Sequence, residues 1–396
     1  MVTSFKKTAD VVVIGGGCNG TATAMFLARR GVKNGVLVEK SSLTSGATED
    51  SIGNLRPYCA NETIARVVQK GIEIFQHFDD IIGGDPKHIQ NGRIWAVSEK
   101  QKKYLENSVA HHQRWGIKTR LISVAEAAEM MPQVDMSDLA AAAYFDEAGN
   151  CDPVATTFAY AKRARDLGVT IYEETEVTGI KVSGGKVRSV VTSRGEIAAP
   201  VVVNAAGYYS GRIGKMVGLD IPITPERQQN ILLRRPYDFT GVIPCFHDAV
   251  FEFGFKPGRP DLERLVMVYA TIIRPPDVVD PDNFKDDVDE SFRARALEMA
   301  YRRFPALKRA SYRGGATGIY DESPDDSPIL GAAPEVEGFY CHCGWSGLGF
   351  MTSPVIGDAM AELITTGTST FPDLAPYRLS RFKEGKLLPS DWVLID

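Results

Sequence analysis

The 396-residue sequence has few cysteines, no long hydrophobic run and no excess of basic residues. Its six cysteines lie in unrelated contexts, which argues against a disulfide framework and favours a reducing compartment, the cytoplasm. The longest apolar segments, 139–145 and 198–206, are much shorter than the roughly 18 residues that cross a bilayer, so we expect no integral membrane segment. A net charge of -5 lacks the basic excess that phosphate backbones attract, which argues against nucleic acid as a partner.

The composition is that of a folded globular protein. Apolar residues make up 44% of the sequence and charged residues 24%, close to the usual averages. A chain of this length exceeds one ordinary hydrophobic core, so we expect two domains or one domain with a large insertion.

The first 40 residues predict a strand, a glycine turn, a helix and a second strand. Residues 10–14 contain a run of β-branched residues after Asp10, residues 21–30 favour a helix that stops at Gly31, and residues 36–38 supply the next strand. Strands without polar alternation are typical of a parallel sheet that is covered on both faces. The sequence therefore predicts an opening βαβ unit.

A glycine motif, G-x-G-x-x-G, follows the first strand at 15–20. Gly15 permits the tight turn, Gly17 lets the backbone approach a pyrophosphate, and Gly20 allows the helix to pack closely on the strand. Glu39 ends the next strand, 19 residues beyond Gly20, where a carboxylate accepts hydrogen bonds from ribose hydroxyls. The motif predicts a dinucleotide site but does not distinguish NAD from FAD.

Further along the chain, the pattern continues to predict a mixed α/β protein. A helix begins after the cap residue Asn61, and another begins with Asp152 as its cap and Pro153 in its first position. Short strands and glycine turns over 179–207 predict a small antiparallel meander, and aromatic strand-like segments between 221 and 315 predict a second, sheet-rich domain.

Several motifs stand in the order found in one family. They are residues 40–48, the helix from Asn61, the helix from Asp152, residues 175–180, residues 201–207 and residues 343–350. With these motifs the chain resembles, nearly end to end, the D-amino-acid oxidase-like FAD-dependent oxidoreductases, in the branch of sarcosine oxidase, its beta subunit and glycine oxidase.

The resemblance implies a set of FAD-binding residues. They are Gly15, Gly17, Cys18, Asn19 and Gly20 at the turn; Glu39 and Lys40; Ser45, Gly46, Ala47 and Thr48 along the flavin ring; Val177 at the adenine; Ala206 and Gly207 on the adenosine side; and Gly344, Trp345, Ser346, Gly347, Leu348, Gly349, Phe350 and Met351 near the pyrimidine. Ser353 and Pro354 resemble the cap and first position of a helix whose positive end would stabilise a reduced flavin. The alternative is a glycine-rich loop before a surface helix.

Two residues are implied for the substrate. Arg56 matches the arginine that holds the substrate carboxylate in this family, and a guanidinium can do so through two parallel hydrogen bonds. The alternative is a surface arginine that packs near the helix at Asn61. Tyr320 falls where relatives have an active-site tyrosine; the alternative is a structural tyrosine at a domain seam.

Three positions depart from the family pattern. Gly318 and Ile319 precede Tyr320, where some sarcosine oxidases have a cysteine that tethers FAD, so we expect FAD to be bound non-covalently. Met351 replaces a lysine that assists the substrate carboxylate. Several oxidases also have an oxygen-activating lysine near the position of Met267, where this chain has none.

The resemblance implies an α/β fold with a Rossmann-type FAD-binding domain and a discontinuous second domain on a mixed or antiparallel sheet. We predict that 1–86, 146–222 and 321–396 form the FAD-binding domain and that 87–145 and 223–320 form the substrate domain. No metal is expected, because the 341–343 cysteine–histidine–cysteine segment has no second ligand pair nearby. His111 and His112 are expected to be solvated on a polar helix.

The predicted function is FAD-dependent oxidation of the carbon–nitrogen bond of an amino acid, to an imine that water hydrolyses. A secondary or N-substituted substrate is favoured, of the sarcosine, glycine or opine type. The alternatives are an FAD-carrying beta-type subunit of a hetero-oligomeric amine dehydrogenase or oxidase, and a flavoprotein whose FAD is only structural. The expected partner is thus a small amino acid or amine, and both homo- and hetero-oligomers are compatible with the sequence.

Overall fold

The computed structural model describes residues 5–59, 61–257, 264–271 and 274–389. In chain order the strands are β1 Val11–Ile14, β2 Gly35–Val38, β3 Asn54–Leu55, β4 Arg93–Val97, β5 Thr119–Ile122, β6 Ala141–Phe145, β7 Gly149–Asn150, β8 Thr170–Tyr172, β9 Val177–Ser183, β10 Lys186–Thr192, β11 Gly195–Ala198, β12 Val201–Asn204, β13 Thr224–Arg234, β14 Cys245–Asp248, β15 Phe253–Pro257, β16 Leu265–Ala270, β17 Ser311–Glu322, β18 Ile329–Ala332 and β19 Phe339–Cys343. The helices are α1 Cys18–Arg29, α2 Ala47–Asp50, α3 Glu62–Gln76, α4 Phe78–Ile81, α5 Lys102–Arg114, α6 Val124–Met130, α7 Pro153–Asp166, α8 Ser210–Lys215, α9 Glu290–Arg303 and α10 Gly349–Thr366.

The first large sheet has six strands in the order β18-β19-β12-β1-β2-β8. Strands β19, β12, β1, β2 and β8 run parallel, and β18 pairs with β19 in the antiparallel sense. Successive side chains of a strand point to opposite faces. Val11 and Val13 accordingly pack with the helices α1, α3 and α10, whereas Val12 and Ile14 pack with the meander β9–β11. Burial on both faces explains why β1 has no polar alternation.

The predicted helix starts are confirmed where a side chain caps the first turn. The Asn61 side chain accepts a hydrogen bond from Ile64 N, and Asp152 accepts from Val154 N and Ala155 N at the start of α7. Each cap satisfies amide groups that have no partner within their own helix. These two helices lie beside the segments that line the candidate site.

The second large sheet is mixed and has eight strands in the order β17-β13-β16-β15-β14-β4-β6-β5. Its pairs are antiparallel except for β14 and β4, which run parallel. Its strands come from 93–145 and 224–322, two stretches separated by the strands β8–β12. The predicted α/β fold with a second mixed sheet is therefore confirmed, whereas the exact domain boundaries stay a prediction. Across the described ranges, no helix has both the length and the apolar character needed to cross a membrane.

Candidate functional site

A cavity of about 1600 Å³ connects the two large sheets. Ile14 and Val38, the last residues of β1 and β2, line one end, and Lys256 and Met267 on β15 and β16 line the other. Ligands of open α/β sheets bind at the carboxyl ends of the parallel strands. The volume exceeds the roughly 300–1,000 Å³ of sites for drug-sized ligands, so a dinucleotide and a small substrate can share it.

The glycine turn has the geometry of a pyrophosphate cradle. Gly15 has a φ of 114°, and a Cβ there would lie 2.3 Å from Ala205 O. A Cβ on Gly20 would lie 2.0 Å from Gly15 O, and one on Gly17 would lie 2.9 Å from Thr48 Oγ1. A side chain at Gly15 or Gly20 would clash with backbone, and one at Gly17 would require Thr48 to move. Gly17, Cys18 and Asn19, at the start of α1, line the cavity, and a helix start suits a phosphate.

Glu39 is held at the end of β2 by two backbone amides. Its carboxylate accepts hydrogen bonds from Gly16 N at 2.7 Å and from Ser41 N at 2.9 Å. Lys40 follows, with its ammonium 4.0 Å from the centre of the Tyr209 ring. The predicted adenosine-side residues Val177, Ala206 and Gly207 line the same end of the cavity as Glu39 and Lys40.

Cys18 and Asn19 connect the turn to other segments of the site. Cys18 N donates to Thr48 Oγ1 at 3.1 Å, and burial raises the pKa of the Cys18 thiol to about 11, so the thiol stays neutral and acts as a packing group. The Asn19 amide bonds Gly349 O at 3.2 Å and Trp345 Nε1 at 3.1 Å. These contacts join the glycine turn to the C-terminal motif. Ser45, Gly46, Ala47 and Thr48 line the cavity beside it.

The C-terminal motif divides into residues on the cavity wall and residues behind it. Trp345, Gly347, Gly349, Phe350 and Met351 line the cavity. Four of the predicted cofactor residues, Gly20, Gly344, Ser346 and Leu348, do not line it, and their role at the cofactor stays a prediction. Gly20 packs on the turn itself, Gly344 N donates to Asp321 Oδ2 at 2.8 Å, the Ser346 hydroxyl accepts from Ser323 N, and Leu348 is fully buried. Their contribution is to shape the loop.

The helix after this motif starts earlier than predicted. α10 begins at Gly349, so Ser353 and Pro354 lie inside the helix and are not its cap and first position. Proline cannot donate to the carbonyl four residues before it. The Ser353 hydroxyl donates to that carbonyl, Phe350 O, at 2.8 Å and so replaces the missing bond. The positive end of the helix therefore lies at Gly349 on the cavity wall, four residues before the expected start at Ser353.

The predicted substrate residues Arg56 and Tyr320 both line the cavity. Arg56 is 5% exposed, so the surface alternative is wrong, and its Nη1 donates to Tyr58 O at 3.0 Å. Tyr320 lies against Gly347, where a Cβ would come within 2.7 Å of the tyrosine ring. Burial raises the pKa of Tyr320 to about 12, which keeps the phenol neutral and able to donate.

A cluster of residues around Arg56 was not predicted from the sequence. Arg93 Nη1 donates to Tyr58 OH at 3.3 Å and to Tyr269 OH at 3.4 Å. Tyr58 OH lies 3.4 Å from His247 Nδ1. Burial, together with the positive charges of Arg93 and Arg56, lowers the pKa of His247 to about 3, so this imidazole is neutral. No motif marks these residues, because they come from separate strands of the eight-stranded sheet and from the loop after β3.

A lysine does reach the cavity near Met267, contrary to expectation. Lys256 lies directly opposite Met267 in the antiparallel pair β15–β16, and both line the cavity. Directly opposed residues place their side chains on the same face of a sheet. Lys256 is 3% exposed, and its ammonium donates to Ile52 O.

Carboxyl groups on another part of the wall are difficult to ionise. Burial raises the pKa of Asp50 to about 7, with a further contribution from Asp286, and raises that of Asp321 to about 6. Burial, with the nearby charge of Glu226, raises the pKa of Glu322 to about 8. Glu322 lies close enough to Asp321 to be affected by its charge, whereas Arg56 and Arg93 contact Tyr58.

Two other expectations concern histidines. His112 is buried and bonds Cys59 O through Nε2 at 2.9 Å, so the expectation of a solvated side chain is wrong for this residue. His342 Nδ1 lies 3.0 Å from Thr23 Oγ1 between two buried cysteines, Cys341 and Cys343. Within the described ranges, no group of three or more His, Cys, Asp or Glu side chains is arranged to hold a metal ion.

Comparison with protein families gives one match over most of the chain. The family model described as "FAD dependent oxidoreductase" matches residues 10–363. Sarcosine dehydrogenase of Mus musculus is 28% identical over 98% of this chain, but the chain spans only 43% of that protein's length. Sarcosine oxidase subunit beta of Rhodobacter capsulatus is 28% identical over 97% of this chain and 91% of its own length.

Solved structures are similar over nearly the whole chain. L-Proline dehydrogenase from P. horikoshii superimposes with a TM-score of 0.89 at 26% identity, covering 97% of this chain and all of that one. Glycine oxidase from Geobacillus kaustophilus gives a TM-score of 0.83 at 24% identity over 95% of this chain.

Proposed function

Because the chain belongs to the FAD-dependent oxidoreductase family, we propose that it oxidises the carbon–nitrogen bond of an amino acid, preferably a secondary or N-substituted one. The relatives named for sarcosine and glycine oxidation support this substrate class. The observation that carries the proposal is that one cavity joins the glycine turn to the buried Arg56 guanidinium.

FAD, when bound, accepts the hydride. The glycine turn and Glu39 would hold its phosphates and ribose, and the amides of the α10 start would face its ring system. Gly15 and Gly17 line this end of the cavity, and a Cβ at either position would come within 3 Å of Ala205 O or Thr48 Oγ1. We propose that the bound FAD is held without a covalent bond.

Arg56 would bind the substrate carboxylate through parallel hydrogen bonds, which fixes the α-carbon in the space beside Tyr320 and Gly347. The neutral Tyr320 hydroxyl can donate to the substrate, and the neutral His247 adds no charge that would repel an amine. As the carbon–hydrogen bond breaks, the nitrogen lone pair forms the carbon–nitrogen double bond. Water then hydrolyses the imine to an amine and an aldehyde or keto acid.

Anaerobic reduction of the flavin tests this proposal without assuming an electron acceptor. The holoenzyme is mixed with primary, N-methylated and larger N-substituted amino acids and with their decarboxylated analogues, and loss of flavin absorbance is followed. We expect reduction by N-substituted amino acids and little by the decarboxylated amines. Equal rates with acid and amine would overturn the carboxylate assignment and favour a simple amine as substrate.

Arg56 variants test the residue itself. Arg56→Ala should lower the second-order rate constant of flavin reduction by an amount equivalent to about 2–5 kcal/mol, the range for removing one partner of a desolvated charge pair. Arg56→Lys should keep only part of the wild-type rate constant, because an ammonium cannot form the two parallel hydrogen bonds of a guanidinium. If Arg56 only packs near α3, both variants lose stability while the rate constant of the folded fraction stays near wild type.

The second candidate is a beta-type subunit that carries FAD within a hetero-oligomer. It is favoured by the similarity to sarcosine oxidase subunit beta over 91% of that protein. In that case the isolated chain would be reduced by substrate but would need a partner for turnover. Comparing single-turnover reduction with steady-state activity of the purified chain separates the two candidates.

A further inference from the structure

Arg93 is the first residue of β4, in register with Cys245 on one side and Phe145 on the other. It is 1% exposed, yet its side chain lines the cavity. Its guanidinium carbon lies 5.7 Å from the centre of the Tyr58 ring. A full positive charge is therefore held inside the cavity wall.

Within the described ranges, the side chain of Arg93 has no acidic partner. Nη1 bonds the two phenol groups of Tyr58 and Tyr269, while Nε and Nη2 are buried without an acceptor. Leaving buried N–H groups of a charged side chain unpaired is costly, so such groups are expected to meet an anion.

Three other buried arginines are each neutralised by carboxylates. Arg303 pairs with Asp248 and Asp138, both at 2.7 Å. Arg381 pairs with Asp325 at 2.8 Å, and Arg227 pairs with Asp277 and Asp289 at 2.9 Å. These three arginines are structural groups with internal counter-ions. Arg93 differs from them both in its exposure to the cavity and in the lack of a carboxylate, so its anion is expected to come from the ligand.

Arg93 and Arg56 face the same space. The Arg56 guanidinium carbon lies 5.0 Å from the centre of the Tyr58 ring, so the two guanidinium carbons are at most about 11 Å apart. The wall between them carries neutral groups, namely the Tyr58 and Tyr269 phenols and the Asn54 amide, whose Nδ2 donates to Tyr269 OH at 3.1 Å. Asn54 Oδ1 is buried without a donor among the described residues and can accept from an amine N–H.

We propose that Arg93 forms a second carboxylate subsite and that the substrate is an amine flanked by two carboxylates, one held by Arg56 and one by Arg93. The substrate class is then an N-carboxyalkyl amino acid. The inference rests on the proposed oxidation of a carbon–nitrogen bond, and it adds the charge that the nitrogen substituent must carry.

The test compares two ligands that differ only in the second acid group. N-(Carboxymethyl)glycine is the dicarboxylate, and N-(carbamoylmethyl)glycine replaces one carboxylate by an amide of nearly the same shape. Dissociation constants come from the concentration dependence of anaerobic flavin reduction. We expect the wild-type holoenzyme to bind the dicarboxylate about 30-fold or more tightly, as loss of one partner of a buried charge pair implies. A difference below about threefold would overturn the proposal.

Arg93 variants assign the preference to this residue. In Arg93→Met the preference for the dicarboxylate should fall to within about threefold, and Arg93→Lys should retain part of it. Arg56→Met should lose the preference as well, because N-(carboxymethyl)glycine is symmetric and the amide ligand can reverse to place its one carboxylate at Arg93. Parallel weakening in Arg93→Met would overturn the subsite. Flavin content and thermal unfolding of each variant establish that it is folded, and the wild-type comparison stands if Arg93→Met does not fold.

A ligand that cannot be oxidised separates this inference from the proposed function. Thiodiacetate has two carboxylates but no amine, so its binding is measured by the perturbation of the flavin spectrum. If no amine reduces the flavin but thiodiacetate binds and loses affinity in Arg93→Met, the oxidation proposal fails and the subsite stands. If amino acids reduce the flavin but thiodiacetate binds wild type and Arg93→Met equally, the subsite fails and the oxidation stands.

Discussion

We expect His112 to make the folded protein sensitive to acid through the segment that carries Arg56. Its Nε2 donates to Cys59 O at 2.9 Å and so ties helix α5 to the loop after β3. Its Nδ1 is buried without a partner among the described residues. Protonation would add an N–H at Nδ1 with no acceptor in that part of the chain. Burial accordingly lowers the pKa of His112 from 6.5 to about 4.

The sign and size of the effect follow from linkage. Between pH 6.5 and 4 the unfolded chain binds a proton at His112 that the folded chain does not, so the folded state loses stability as the pH falls. A pKa difference of this size corresponds to about 2 kcal/mol of folding free energy lost by pH 5. For a chain of this length that is about 2–3 °C in Tm.

His112→Gln tests this, because the glutamine amide can still donate to Cys59 O but does not titrate. Thermal unfolding is measured at pH 7.5 and pH 5 with excess FAD, so that cofactor occupancy is the same. We expect the fall in Tm between the two pH values to shrink by about 2–3 °C relative to wild type. His111→Gln is the matched control, since His111 is only half-buried on the same helix.

An unchanged pH dependence in His112→Gln would refute the reasoning. Loss of the dependence in His111→Gln would refute it equally, because it would assign the acid sensitivity to the half-buried neighbour. His247 and His342, whose pKa values burial also lowers, remain in both variants, so some acid sensitivity persists.

The remaining predictions concern how FAD is held. Because Gly318 and Ile319 precede Tyr320, acid precipitation should release all flavin into the supernatant; flavin in the pellet would contradict non-covalent binding. At the cavity rim, Asp282 accepts a hydrogen bond from Tyr209 OH at 2.7 Å and pairs with Lys40 and Arg212. Exposed ion pairs each contribute at most about 1 kcal/mol, so Asp282→Ala should speed FAD release severalfold. The release rate is measured by flavin fluorescence. Asp238→Ala is the control, because it breaks an exposed ion pair with Arg309. An unchanged release rate in Asp282→Ala, or an equal increase in Asp238→Ala, would contradict the idea that Asp282 helps to retain FAD.

The end of the cavity formed by the glycine turn could be predicted because its determinants are local. A glycine at 15 is favoured by a positive φ, one at 20 is required by contact with Gly15 O, and one at 17 lies close to Thr48 Oγ1. These constraints act within one strand–turn–helix unit, so they leave a short motif in the sequence. The helix caps Asn61 and Asp152 were predictable for the same reason.

The start of α10 was predicted wrongly from the local sequence, at Ser353 instead of Gly349. Ser353 followed by Pro354 has the pattern of a helix start, because a proline needs no amide donor in the first turn. The same pair is tolerated inside the helix here, since the Ser353 hydroxyl supplies a donor to Phe350 O. The sequence pattern cannot distinguish the two arrangements without the contacts of the preceding turn with Asn19.

The end of the cavity around Arg93 and Lys256 could not be predicted in the same way, because its charges come together only through the register of the eight-stranded sheet. The chain lacks a lysine at Met267, yet Lys256 on the paired strand occupies the same face. Arg93 enters the cavity from β4, and Tyr269 enters from β16, which is not adjacent to β4 in the sheet. A cavity selects ligands by the charge present at each point of its wall, whichever strand supplies it. We therefore expect the local motifs to be the better guide to how FAD is held, and the Arg93 guanidinium, which has no carboxylate partner among the described residues, to be the better guide to the proposed substrate.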